Sequence, residues 1–321
     1  MEPYKLMTRL LSDLTKNNDW PTFQKLRRRA VSKKPRHWRL PVLGCQAVGG
    51  KIQQAIPAMA GIACLQISIL LIDDLLDDDA RGIHHLIGLA EAANLALAFY
   101  STGLKAVCLA DVPQNIVPLV FNKLILMMAT IAYGQYLDVQ GAETETDYWR
   151  IVRTKSSPFF GAALYTGALM GGALVDVGAQ LERLGCLYGE MIQIHDDLND
   201  SMATPANSDW TSGRSPLPIL FAQTVDHPQR ARFLELRASI TEPEALSEAQ
   251  TILIRCGAVS YCIDQLLHRY HAAKQFLDAI PLPFPGELEE LLVASIQPVE
   301  KLLAAYGICL SNVLPCDPGR I

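Results

Sequence analysis

The chain has 321 residues, half of them hydrophobic, and carries a formal net charge of −5. This acidic balance excludes a general electrostatic attraction to nucleic acid or to anionic lipid. The length and the hydrophobic content suit one large buried core. The eight cysteines form no CxxC pair and no metal-ligand spacing, and the N-terminus lacks the layout of an export signal. We therefore expect a reduced, cytoplasmic protein.

Apolar residues recur at helical spacing along the chain, and no strand-like alternation interrupts them. The most apolar run, 55–72, contains Pro57, Gln66 and Ser68 and is followed by five acids, so we interpret it as a core helix and predict no membrane span. The prediction is a single all-α domain over 1–321, with the N-terminal helices (1–32) and the tail (307–321) peripheral. Two helices are predicted within 4–32 and one over about 41–48, followed by the long apolar helix that ends near 77. Further helices are predicted over 86–109, 111–139, 157–170, 181–200 and most of 216–306. A polar connector is predicted at 141–147 and a loop at 202–215.

The apolar run ends in a dense acidic segment. Residues 73–79 hold five carboxylates: Asp73, Asp74, Asp77, Asp78 and Asp79. In a helix, Asp73 and Asp77 lie one turn apart on the same face. Carboxylates this close repel one another unless water or a cation compensates, and Mg²⁺ prefers oxygen ligands. Taken alone, the segment is more typical of a solvated helix end.

A second acidic cluster follows another apolar helix. Asp196 and Asp197 are adjacent, and Asp200 comes one helical turn later. Two such clusters on separate core helices can face each other across a central apolar cavity and bind several metal ions. Metals bound in this way suit a phosphorylated substrate, with cationic side chains completing the charge balance. The pairing therefore favours a metal site over a solvated helix end.

The two clusters, DDLLD at 73–77 and DDLND at 196–200, resemble the DDxxD motifs of trans-polyprenyl diphosphate synthases. Between them, GQYLD at 134–138 resembles the GQxxD motif of that family, and Lys155-Ser156 resembles its KT motif. Gln193 stands where the family has the Gln of FQxxDDxxD. The similarity keeps one order over residues 30–290, and two paired motifs are far more specific than one. It implies the all-α helical bundle of the isoprenoid synthase type.

The resemblance also implies the chemistry: a Mg²⁺-dependent prenyltransferase that ionises an allylic diphosphate and condenses it with isopentenyl diphosphate, with three Mg²⁺ ions in each active site. Six carboxylates would form the metal site: Asp73, Asp77 and Asp196 as direct ligands, and Asp74, Asp197 and Asp200 as supporting or water-mediated ligands. Six further side chains would act on the diphosphate and the carbocation: Lys155 and Arg214 as a diphosphate clamp, Gln135, Ser156 and Gln193 as oxygens facing the cation, and Asp138 behind the metal site.

The family binds isopentenyl diphosphate with a GGKRxRP segment, and the nearest match here is 32–37. Three basic residues fall at the required places, although the glycines and the proline are absent: Lys33, Lys34 and Arg36. Arg81 and one of two adjacent histidines, His85 or His84, would complete this site.

Several departures from the family pattern keep other functions open. The first Arg of the family's RRG is Ala80, and the Lys expected after the second motif is absent from 203–205. One alternative is a class I terpene synthase that cyclises or rearranges a single prenyl diphosphate. Another is a non-catalytic regulatory subunit of a prenyl synthase. Asp78 and Asp79 are interpreted as solvent-facing, and Asp209 as a loop residue.

The resemblance also bears on product length and assembly. In this family, aromatic residues four and five positions before the first motif close the product tunnel, and those positions are Ile69 and Ser68 here. A small Ser68 predicts a product of geranylgeranyl size or longer. Family analogy implies a homodimer, with isopentenyl and allylic prenyl diphosphates as the only small partners and no nucleic acid.

Overall fold

The computed structural model describes residues 2–79, 81–211 and 214–305, and these residues form helices without a β-strand. The prediction of an all-α fold is confirmed. Two short 3₁₀ helices, Arg36–Arg39 and Arg237–Ser239, join the α-helices. In chain order the α-helices are α1 (Pro3–Leu14), α2 (Pro21–Lys33), α3 (Leu40–Ala47), α4 (Ile52–Asp77), α5 (His84–Ile87), α6 (Leu89–Cys108), α7 (Ile116–Gln140), α8 (Glu145–Lys155), α9 (Ser157–Met170), α10 (Val175–Ser201), α11 (Ser208–Thr211), α12 (Leu217–Thr224), α13 (Arg230–Leu236), α14 (Pro243–Arg255), α15 (Ala258–Ala279) and α16 (Gly286–Ala305).

Several predicted boundaries were wrong. The connector expected over 141–147 spans only 141–144, because Thr144 caps α8. Its hydroxyl accepts a hydrogen bond from the backbone N–H of Asp147, whose carboxylate accepts one from the N–H of Thr144. The helix that carries the second acidic cluster begins at Val175 instead of 181, and the loop expected over 202–215 contains α11. The tail, 307–321, lies outside the described residues.

The centre of the fold is a bundle in which α9 packs against α3 and α10, while α4 packs against α6. The α3–α9 crossing is very close. A Cβ on Gly167 would lie 1.9 Å from the carbonyl oxygen of Pro41, and one on Gly44 would lie 2.6 Å from that of Leu164. Glycine is required at both positions because backbone occupies the space of any side chain. The acidic helix α10 approaches α9 as closely, because a Cβ on Gly185 would lie 2.5 Å from the carbonyl oxygen of Phe160.

The N-terminal helices contribute to the core. Tyr4, Met7 and Leu11 of α1 are buried, and α1 packs against α4 and α6. The ring of Phe23 in α2 stacks on Phe99 in α6 at 4.3 Å. A separate cluster of buried apolar residues joins α11, α12, α13 and α14. It lies beside the acidic end of α10. That residues 1–321 form one domain stays a prediction.

Within the described residues, two helices are long and apolar enough to cross a membrane, and they differ in burial. The most apolar window of α4 (Ile52–Asp77) is 78% buried, whereas that of α7 (Ile116–Gln140) is 22% buried. The prediction that α4 is a core helix fits this burial. The apolar surface of α7 instead faces outward from the described chain.

Candidate active site

A cavity of about 450 Å³ lies between α4, α7, α9 and α10, with α11 at its mouth. One end is apolar and the other is acidic, because the apolar stretch of α4 ends where Asp73 and Asp77 begin. The apolar lining contains Ile69, Met128, Ile131, Phe159 and Phe160. The central apolar cavity expected from the sequence is therefore present, with both acidic clusters at the same end of it.

Each of the two acidic helices contributes two carboxylates to the lining of this cavity. Asp73 and Asp77 of α4 line it together with Asp196 and Asp200 of α10. Asp74 is not part of the lining. Burial, with Asp79 and Asp73 nearby, raises the pKa of Asp74.

Asp197 faces the protein instead of the cavity water. It is 4% exposed, and its Oδ2 accepts hydrogen bonds from the hydroxyl of Tyr148 at 2.6 Å and from the backbone N–H of Leu217 at 2.9 Å. Its Oδ1 accepts one from Nε2 of Gln193 at 2.8 Å. These bonds tie α10 to α8 and to the start of α12. Of the two roles expected for Asp197, the arrangement suits support of the site better than water-mediated ligation.

Two cations lie between the acids of α4 and α7. Nζ of Lys155 is 2.6 Å from Oδ2 of Asp138 and 3.1 Å from Oδ1 of Asp73. Nη1 of Arg214 donates to Oδ2 of Asp77 at 2.6 Å, and Nη2 pairs with the other oxygen of the same carboxylate. Burial opposes both charges, but the neighbouring carboxylates outweigh it and raise the pKa of Lys155 and of Arg214. Both side chains therefore stay cationic at the mouth of the cavity.

Lys155 is positioned by a close approach of α7 to α8. A Cβ on Gly134 would lie 2.3 Å from the backbone nitrogen of Lys155 and 2.5 Å from the carbonyl carbon of Thr154. The Gly of GQYLD thus lets α8 approach α7 closely enough for Lys155 to contact Asp138. The next residue, Gln135, is 8% exposed and lines the cavity. Its Nε2 is buried and has no hydrogen-bond partner among the described residues.

Ser156 and Gln193 are brought together as the sequence suggests, but they bond to each other. The hydroxyl of Ser156 donates to Oε1 of Gln193 at 2.6 Å, and both residues line the cavity. With the bond from Gln193 to Asp197, they form a chain of polar contacts across α9 and α10. That their oxygens face a carbocation stays a prediction.

The sequence analysis missed a carboxylate. Asp209, interpreted as a loop residue, lies in the short helix α11 and lines the cavity. Burial, with Asp197 and Asp200 nearby, raises its pKa to about 6. The adjacent Trp210 anchors this turn, because its buried indole donates to the carbonyl of Ser201 at 3.1 Å. The available signal in the sequence was the aromatic residue Trp210 next to Asp209, which the structure shows to be buried.

The basic residues expected to bind a second diphosphate are not gathered in the cavity. Lys33 and Arg36 are exposed, Lys34 pairs with Glu2 at 2.7 Å, and none of the three lines the cavity. The residue that packs on the cavity wall from this segment is His37, whose ring lies 5.0 Å from that of Phe160. Burial lowers the pKa of His37.

In the turn after α4, some side chains line the cavity and others do not. Arg81 lines the cavity, but its guanidinium is paired with Asp79 at 2.8 Å. Asp79 also lines the cavity, so its interpretation as solvent-facing was wrong, whereas the side chain of Asp78 is 85% exposed. His84 is buried, His85 is partly exposed, and neither lines the cavity. Their predicted role in diphosphate binding stays a prediction.

The donor set fits Mg²⁺. Six carboxylates and three cations line the cavity, an excess of three negative charges: Asp73, Asp77, Asp79, Asp196, Asp200 and Asp209 against Arg81, Lys155 and Arg214. Oδ1 of Asp73 is buried and has no aligned hydrogen-bond donor among the described residues. Enclosure by the cavity walls, with Asp200 and Asp209 nearby, raises the pKa of Asp196 to about 6. A hard divalent cation would relieve the repulsion between these carboxylates.

Comparison with known proteins agrees with this geometry. The family described as "Polyprenyl synthetase" matches residues 29–253. A short chain isoprenyl diphosphate synthase of Methanothermobacter thermautotrophicus is 29% identical over 257 residues, covering 75% of this chain and 78% of its own. A geranylgeranyl diphosphate synthase of Methanosarcina mazei is 27% identical over 256 residues, covering 74% and 77%.

Solved structures share the fold. The geranylgeranyl pyrophosphate synthetase of Pyrococcus horikoshii superimposes with a TM-score of 0.80 at 22% identity, covering 91% of this chain and 95% of its own. A polyprenyl synthase of Caulobacter crescentus, complexed with calcium and isoprenyl diphosphate, gives a TM-score of 0.79 at 21% identity, covering 90% and 93%. The helical bundle described above is therefore the fold of these synthases.

Proposed function

Because the chain belongs to the polyprenyl synthetase family, we propose that it is a Mg²⁺-dependent enzyme that condenses isopentenyl diphosphate with an allylic diphosphate. The observation that carries the proposal is the acidic end of the cavity, which carboxylates of α4 and α10 line together with Lys155 and Arg214. An apolar tunnel that ends in paired carboxylates and cations suits a substrate with a hydrocarbon tail and a diphosphate head.

Different residues would hold the metal, bind the diphosphate and exclude water when the allylic diphosphate ionises. Asp73, Asp77 and Asp196 would hold Mg²⁺, which neutralises the charge of the departing diphosphate. Lys155 and Arg214 are held by carboxylates in the ligand-free protein. With Asp73 and Asp77 holding metal, Lys155 and Arg214 would be free to donate to diphosphate oxygens. The apolar lining around Phe159 excludes water, which would otherwise quench the allylic cation.

Product length follows from the wall of the cavity. Ser68 is 4% exposed and lines the cavity beside Ile69, so a small side chain stands where an aromatic ring would shorten the tunnel. We propose a product of geranylgeranyl size or longer. The relatives named as geranylgeranyl diphosphate synthases support this size.

One observation favours a second candidate, a class I terpene synthase that acts on a single prenyl diphosphate. Condensation needs cations for two diphosphates, but Lys33, Lys34 and Arg36 do not line the cavity. Lys155 and Arg214 supply enough charge for one diphosphate, and the third cation of the lining, Arg81, is paired with Asp79. The condensation reading requires the 32–37 segment to rearrange when isopentenyl diphosphate binds.

One assay separates the two candidates. The protein is incubated with Mg²⁺ and C10, C15 or C20 allylic diphosphates, with and without isopentenyl diphosphate, and the products are identified by mass spectrometry. Longer diphosphates that form only with isopentenyl diphosphate support condensation. Hydrocarbons or alcohols that form without it support the terpene synthase. No turnover under any condition would refute both.

A pair of lysine variants tests the role of the cation at the cavity mouth. Lys155→Ala removes a cation from the diphosphate site and should lower kcat by about 10²–10³-fold, as for loss of one preorganised donor. Lys123→Ala is the matched control, because Lys123 pairs with Glu182 at 2.6 Å and does not line the cavity. Equal effects of the two substitutions would contradict the assignment of Lys155.

We further propose that the enzyme is a homodimer that associates through α7. Leu119, Leu126 and Tyr133 recur every seven residues on this helix, so they share one face, and they are 37%, 52% and 47% exposed. Leu97 of α6, a helix that packs against α7, is 65% exposed as well. Leu126→Glu should yield a monomer in analytical ultracentrifugation. An unchanged sedimentation coefficient would place the interface elsewhere. The cytoplasmic location stays a prediction.

A further inference from the structure

The connection between α4 and α6 gathers three potential metal ligands outside the cavity. Asp78 ends α4 in a left-handed conformation with φ 48°, and the chain returns so that His84 and His85 of α5 stand against it. One ligand atom from each of the three residues lies within 4.8 Å of the other two. The side chain of Asp78 is 85% exposed, and none of the three residues lines the cavity.

The two separations between histidine and aspartate are close to those of a coordination sphere. Nε2 of His84 lies 3.3 Å, and Nε2 of His85 3.6 Å, from Oδ1 of Asp78. Ligands about 2.0–2.1 Å from a tetrahedral metal are about 3.3–3.4 Å apart. Nε2 of His85 also lies 3.1 Å from the carbonyl oxygen of Asp79, a contact that ligation would replace. Small side-chain shifts would therefore suffice to enclose an ion.

His84 gives an independent reason to expect a ligand. It is 4% exposed, and Asp78 is the only hydrogen-bond partner of its ring among the described residues. Its Nδ1 is buried without a partner. A buried imidazole with so few partners is costly unless a stronger interaction compensates. Coordination at Nε2 would replace the 3.3 Å contact with Asp78 by a stronger interaction, whereas Nδ1, on the other side of the ring, would stay without a partner.

We propose that Asp78, His84 and His85 bind a borderline divalent cation such as Zn²⁺, with water in the remaining position. Two imidazoles and one carboxylate select this class of metal, whereas the acids in the cavity select Mg²⁺. The site joins the end of α4 to α5 across the turn that carries Arg81. His84 and His85 are also the histidines predicted to bind isopentenyl diphosphate, so Zn²⁺ bound here would exclude that role.

Calorimetric titration of the full chain with Zn²⁺, in excess Mg²⁺ to fill the cavity acids, tests this site. His85→Asn should weaken the tightest Zn²⁺ site by more than about tenfold, since even the partners of metal ligands change affinity by about 10–100-fold. His85 is partly exposed, so this variant should fold. Substituting Co²⁺ should give the absorption bands of tetrahedral coordination in the parent protein and weaken them in the variant.

A second histidine of the chain provides the matched control. Nδ1 of His268 lies 3.3 Å from Oδ2 of Asp264 on the exposed side of α15, a His–Asp pair outside the proposed site. His268→Asn should leave Zn²⁺ binding unchanged. The proposal is refuted if the parent protein binds no Zn²⁺, if His85→Asn binds it as tightly as the parent, or if His268→Asn removes the site.

Discussion

Removal of the Tyr148 hydroxyl tests whether Asp197 supports the site as a buried hydrogen-bond acceptor. Tyr148 donates to Asp197 at 2.6 Å, and both residues are buried. A hydrogen bond to a charged group contributes about 1.5–3 kcal/mol and a neutral one about 0.5–1.5 kcal/mol. Tyr148→Phe should therefore lower the free energy of unfolding by about 2 kcal/mol where Asp197 is ionised.

The effect should depend on pH with a defined sign. Burial raises the pKa of Asp197 to about 6, despite the hydrogen bonds that lower it. The stability that this group contributes is therefore fully present below its unfolded pKa of about 4 and is lost as pH rises through about 6. Tyr148→Phe removes a donor to the ionised form, so it raises the pKa of Asp197 further. The cost should fall to about 1 kcal/mol near pH 5, where the carboxyl is protonated.

Urea unfolding near pH 7.5 and near pH 5, with a chelator present so that metal binding does not contribute, measures both values. Tyr136→Phe is the matched control, because Tyr136 is 61% exposed and should change stability by less than about 0.5 kcal/mol. A cost for Tyr148→Phe that is as small as the control, or that does not change with pH, would refute the role given to Asp197.

Three further predictions follow from other contacts. Ser68→Phe should shorten the products found by mass spectrometry, and an unchanged product distribution would refute the assignment of the cavity wall. Gly134→Ala should destabilise the protein by about 1–3 kcal/mol through overpacking against α8, whereas Gly286→Ala, where a Cβ meets no atom within 4 Å, should be neutral in the same urea assay. Because the pKa of Asp196 is raised to about 6 and metal ligands must be deprotonated, the Mg²⁺ concentration for half-maximal activity should rise below about pH 6; a constant value would exclude Asp196 as a ligand.

The sequence by itself determined the fold class, the family and the two acidic clusters. An apolar helix followed by acids one turn apart needs no tertiary information to place Asp73 and Asp77 on one face. The second cluster and the GQYLD segment made the combination specific. The helix cap at Thr144 could also have been predicted from the sequence, but it was not.

Only the tertiary structure decided how each charged side chain is used. Asp197 and Asp196 are adjacent, yet Asp197 points to Tyr148 and Leu217 while Asp196 faces the cavity, because successive residues of a helix point about 100° apart. Asp209 lies in the site because of the short helix α11, which no periodic pattern in the sequence predicts.

The basic segment 33–37 is another case in which the sequence does not give the direction of the side chains. Its charges are visible in the sequence, but the direction of each side chain depends on how residues 33–37 meet α9 and α10. There His37 packs on Phe160, while Lys33 and Arg36 remain in solvent. Exposed cations gain little from any single position, so their placement follows from the packing of their apolar neighbours.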